Sequence, residues 1–75
     1  MSDSGPHCAV LFRSVNHVMW ADRLLSKSKI PHKLIPVPRH LSSDCGVCIR
    51  IKPDVMENVQ SALKDIAVEW EIRPL

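Results

Sequence analysis

Apolar positions along this chain change their spacing from one segment to the next, and each spacing names an element. His7 to Ser14 (HCAVLFRS) is apolar at both parities. That pattern predicts a strand covered on both faces near the centre of a sheet. From Asn16 to Lys29 the spacing turns helical, with Val18, Ala21, Leu24 and Leu25 in one stripe and Asp22, Arg23, Lys27 and Lys29 off its centre. Ser14 offers an N-cap, Asn16 is a second candidate, and Pro31 closes the helix. Lys33 to Val37 (KLIPV) reads as a second strand. Pro36 and Pro38 cannot donate to a ladder, which places it at an edge. After a polar loop from Arg39 to Asp44, Cys45 to Lys52 alternates: Cys45, Val47, Ile49 and Ile51 on one side, Gly46, Cys48 and Arg50 on the other. This is a third strand with one buried face.

Asp54 and Glu57, three apart, form a capping-box pattern ahead of a second helix whose stripe is Met56, Val59, Leu63 and Ile66. Val68 to Arg73 (VEWEIR) is a last strand, with Val68, Trp70 and Ile72 inward. The order β-α-β-β-α-β, with right-handed crossovers, predicts an α+β, ferredoxin-like split β-α-β fold. Its four-stranded antiparallel sheet has the order 4-1-3-2, with both helices on one face. Trp20 and Trp70 are expected in the core, and His7 and His32 at exposed strand edges. The uncovered sheet face would carry Ala9, Leu11, Leu34, Cys48 and Arg50 with Glu69 and Glu71. A half-apolar face of this kind suggests a homodimer or docking to another protein.

The 75 residues fit one small domain over residues 7–75, preceded by a flexible stretch over residues 1–6. With 45% hydrophobic and 24% charged residues the composition is that of a globular chain, not a disordered one. A net charge of +2, from scattered basic residues, argues against a nucleic-acid binder. The longest apolar run, Cys8 to Phe12, is far too short to cross a membrane, and Met1 to Pro6 has no signal-peptide pattern. A cytoplasmic location with reduced thiols is therefore expected. With two glycines and no paired carboxylates or Ser/His/Asp set, no cofactor or conventional turnover enzyme is indicated.

Three cysteines remain to be explained. Cys8, at the far end of the first strand, reads as a small core residue. Cys45 and Cys48 match C-x-x-C, yet residues three apart on a strand point to opposite faces, with Cα atoms ~10 Å apart. A disulfide needs ~7 Å or less, so pairing them would require a bulge or turn at Gly46. A zinc site lacks ligands, because a structural site needs about four and only His40 could join the pair. The remaining chemistry centres on Cys45, which the topology sets beside the start of the first helix, where backbone N–H groups favour a thiolate. Arg39, Arg13 and His17 are candidate cations, and Ser42 and Ser43 candidate donors to a sulfur anion. Asp44 opposes the thiolate. On these grounds a reactive Cys45 and a merely buried strand cysteine stand level.

Ile30-Pro31-His32-Lys33-Leu34-Ile35-Pro36-Val37-Pro38-Arg39, followed by Leu41-Ser42-Ser43-Asp44-Cys45-Gly46, resembles the motif of the small selenium/sulfur carrier-like protein family. The resemblance runs end to end. It implies that Cys45 bears the sulfur or selenium atom, as a persulfide or selenopersulfide, and passes it to an acceptor protein. Arg39, Ser42, Ser43 and Gly46 would form the surrounding loop, with Ser14 and His17 nearby. Sulfur or selenium donor and acceptor proteins are the implied partners. Cys48 stands where the family has a small or apolar residue, so its spacing from Cys45 is incidental to that chemistry. The competing expectation is a non-catalytic ferredoxin-like interaction or regulatory module in which Cys45 is structural.

Overall fold

The computed structural model describes residues 7–39, 41 and 46–75. Its elements follow in the order β1 (Cys8–Phe12), α1 (Val15–Lys27), β2 (Lys33–Pro36), β3 (Val47–Ile51), a 3-10 turn (Pro53–Val55), α2 (Met56–Leu63) and β4 (Trp70–Pro74). The four strands form one antiparallel sheet in the order β2-β3-β1-β4. This is the α+β, ferredoxin-like arrangement that the β-α-β-β-α-β order predicts.

The pattern of burial explains the order. All five residues of β1 are buried, so this strand takes a central place with cover on both faces. β2 is largely exposed and ends in Pro36, and β4 ends in Pro74, both tolerated at a sheet edge. On the helix side, Cys8, Val10 and Phe12 pack with Ile49 and Ile51 against Val18, Ala21 and Leu25 of α1 and Val59 and Leu63 of α2. Each fully buried aliphatic side chain here contributes about 1.5–3 kcal/mol, so this cluster is the main source of stability.

α1 is bounded by two distinct caps. Ser14 accepts a hydrogen bond from the His17 N–H at 3.3 Å through its Oγ. At the other end Lys29 adopts φ 59°, its N–H donates to Ser26 O at 3.0 Å, and the Ile30 N–H donates to Leu25 O at 2.9 Å. That pair of bonds is a Schellman motif, and its hydrophobic contact joins Ile30 to Leu25, both in the main cluster. The helix therefore stops at Lys27, ahead of Pro31.

Several expectations need correction. The capping box does not form: Pro53 starts a 3-10 turn that takes in Asp54, and α2 begins at Met56 with no side-chain cap bond. Trp20 is exposed, because it lies about 200° round the helix from Val18, away from the buried stripe. Trp70 does pack against the main cluster. His32 is not an exposed edge residue: its side chain is only 9% exposed, with Nε2 2.6 Å from Asp22 Oδ1 and Nδ1 2.7 Å from Ile30 O. His7 is half-buried.

The sheet face opposite the helices is also not bare. Ala9, Leu11 and Cys48 are buried there in a second cluster with Leu41, and Ile35 and Val37 pack against it. Leu34 pairs with Ile49 and so belongs to the helix side, whereas Ile35, the partner of Cys48, faces the second cluster. The chain covers with its own Leu41 the apolar residues on which a homodimer was expected to rest. That interface has no support here.

Candidate functional site

Val37, just past the edge strand, and Gly46, at the entry to β3, are tied together. The Val37 N–H donates to Gly46 O at 3.1 Å, extending the β2–β3 ladder by one step. Between these two residues the Leu41 N–H donates to Pro38 O at 3.0 Å, closing a turn around Arg39. Leu41 then inserts into the second cluster. Arg39 is exposed on that turn.

Gly46 adopts φ +74°, and a Cβ added there would meet no described residue within 4 Å. Backbone conformation is thus what favours glycine, because L-residues are strained in this region while no described residue crowds it. The glycine redirects the chain as it enters β3. β1 and β3 run antiparallel with Val10 opposite Ile49. Continued along both strands, this register sets Gly46 level with Arg13, the residue before the N-cap of α1.

At that N-terminus, Ser14 holds the first turn. No acidic side chain lies in the turn to offset the positive end of the helix. His17 belongs to the same turn and is half-buried. Its Nδ1 is sequestered with no hydrogen-bond partner among the described residues. Arg13 is already engaged, with Nε 2.6 Å from Glu69 Oε1, in a pair open to solvent on both sides. Such an exposed pair adds little stability, and it draws Arg13 toward β4.

The structure thus brings Ser14, His17 and Gly46 to one end of the central strands, with Arg39 on the adjoining turn. Cys45, Ser42 and Ser43, expected at this site from the sequence, lie outside the described residues. Cys48 is fully buried in the second cluster and faces away from the helices. Cys8 is buried at the opposite end of β1, opposite Ile51. Among the described residues no group of three or more His, Cys, Asp or Glu side chains could hold a metal ion. No described helix is long and apolar enough to cross a membrane. The sequence reasoning missed Leu41 as the anchor of the loop. A lone leucine in a run of serines and charges was the available signal.

A small ferredoxin-like α+β sheet that ties a glycine-ended loop beside a helix N-terminus defines the class of protein. The chain belongs, more particularly, to the family described as "Putative Se/S carrier protein-like", whose model matches residues 7–72. No curated protein and no solved structure matches it.

Proposed function

We propose that this protein carries a sulfur or selenium atom on Cys45 and delivers it to an acceptor protein. The observation that carries this reading is family membership over nearly the whole chain, joined to the position of Cys45 next to Gly46. Gly46 is held at the end of the strand that runs beside the start of α1, where helix N–H groups favour an anion.

The Cys45 thiolate attacks the outer sulfur of a donor's persulfide. The donor's S–S bond breaks, its thiolate leaves, and a new S–S bond forms on Cys45. In the second step an acceptor thiolate attacks that outer sulfur and Cys45 leaves as thiolate. No net oxidation occurs in either step, and with selenium the carried bond is S–Se. Ser42, Ser43 and Arg39 would offer donors and a cation to the anionic forms, while Ser14 and His17 hold the neighbouring helix turn. The exchange needs reduced thiols, which fits a cytoplasmic setting.

The test is to incubate the purified protein with a cysteine desulfurase and cysteine, then measure intact mass. The expected result is a gain of one sulfur on the wild type and none on Cys45→Ser. A wild type that gains no mass, and whose Cys45 is alkylated no faster than a model thiol, would overturn the proposal in favour of an interaction module with a structural Cys45.

A further inference from the structure

The far end of the sheet, roughly 13 Å along β3 from the loop just described, carries a feature that sulfur transfer does not use. A cavity of about 210 Å³ opens there, and the described residues that line it include His7, His32, Lys33, Arg50 and Lys52. Among the described residues none that lines it is acidic. Lys33 and Arg50 are direct register partners across β2 and β3, so their side chains stand side by side on one face. Like charges in that relation oppose strand pairing.

Among the described residues the ion pairs of the chain involve Arg13, His32 and Arg73, leaving Lys33, Arg50 and Lys52 without a carboxylate. Three formal positive charges therefore converge on one cleft in a chain whose net charge is only +2. His32 has a different part. Both ring nitrogens face protein acceptors, Ile30 O and Asp22 Oδ1, so the ring braces the wall of the cleft.

We infer that this cleft binds a phosphate group, either as the free ion or as a small phosphomonoester. A guanidinium offers paired donors to two oxygens of one anion, and two ammonium groups add point charges, a set suited to a dianion more than to a single carboxylate. The volume lies below the ~300 Å³ at which drug-sized sites begin, so the occupant is small.

The experiment is an NMR titration of the full chain at constant ionic strength, with inorganic phosphate in one arm and glycerol phosphate in the other. Saturable shifts confined to the amides of His32, Lys33 and residues 50–52 are expected. Saturation by phosphate alone assigns the free ion, and tighter binding of the ester assigns a phosphorylated ligand. The double variant Lys33→Gln, Lys52→Gln removes two exposed side chains and should weaken binding at least about tenfold, through lost charge-assisted hydrogen bonds. Its thermal midpoint should hold or rise, because the Lys33–Arg50 repulsion is relieved. Non-saturating shifts, equal shifts from sodium chloride, or undiminished binding by the double variant would overturn the inference. So would saturation by an acidic peptide alone, which would make the cleft a docking surface.

Discussion

Replacing Leu41 by alanine tests whether the second face of the sheet is a true core and whether it governs the loop beside it. Leu41 is 7% exposed and packs with Ala9, Leu11 and Cys48, so truncation removes most of the side chain that covers this face. Leucine-to-alanine changes in large cores cost about 2–5 kcal/mol, the spread reflecting how far the site can collapse. Leu41 belongs to a small cluster on a loop able to relax inward, so the low end applies, about 2 kcal/mol. A chain of this length has a total stability of roughly 4–11 kcal/mol, so the loss is a large share of it.

Urea unfolding followed by tryptophan fluorescence reads this directly, since Trp70 packs against the main cluster and reports global unfolding. The thermal midpoint should fall by roughly 8–16 °C. A matched variant, Leu25→Ala, truncates a fully buried residue of the main cluster and should cost at least as much. The two should part company in sulfur loading. Leu41 and the Val37–Gly46 hydrogen bond anchor the described residues that flank Cys45 in sequence, so under the proposed function Leu41→Ala should slow loading under conditions where both variants are folded. Leu25→Ala should not. A loss below about 0.5 kcal/mol for Leu41→Ala, the range of ordinary surface changes, would refute the claim that the loop is built into the fold.

Three further substitutions probe the same logic. Lys29→Gly relieves left-handed strain of about 1–2 kcal/mol against an entropic cost of about 0.5–1, so the protein should gain about 0.5–1 kcal/mol in thermal or urea unfolding; unchanged or lower stability would contradict the Schellman assignment. With no described residue crowding the position, Gly46→Ala should cost about 1 kcal/mol through backbone strain alone, and Gly46→Val more, because a β-branched residue is worse at this φ; equal stability of all three would remove the backbone argument. Asp22→Ala leaves the buried His32 Nε2 without its partner and should cost about 1–3 kcal/mol, whereas Asp22→Asn can donate to that nitrogen and should recover most of the loss; equal damage from the two, by urea unfolding, would refute the pairing.

The order of elements was legible because each periodicity belonged to a strand or helix whose surroundings matched it. β1 is apolar at both parities because loop and helices cover both its faces, and the prolines of β2 mark an edge because an edge strand can lack donors. The misreadings at His32, Leu34 and the second sheet face share one cause: they concern partners brought in from elsewhere in the chain. His32 looked exposed because nothing local shows that Asp22, ten residues back on a helix, reaches it after the Schellman turn. Leu34 was assigned the wrong face because parity within a short proline-bearing strand is fixed by its register with Ile49, not by its own pattern. The open face was misjudged for the same reason, since one leucine in a polar loop has no periodicity to announce burial. At the candidate site, the motif around Cys45 was visible in sequence, whereas the tie between Val37 and Gly46 was not. That tie matters most for the site: it extends the β2–β3 ladder to Gly46, so the glycine that follows Cys45 in the chain is fixed by strand pairing.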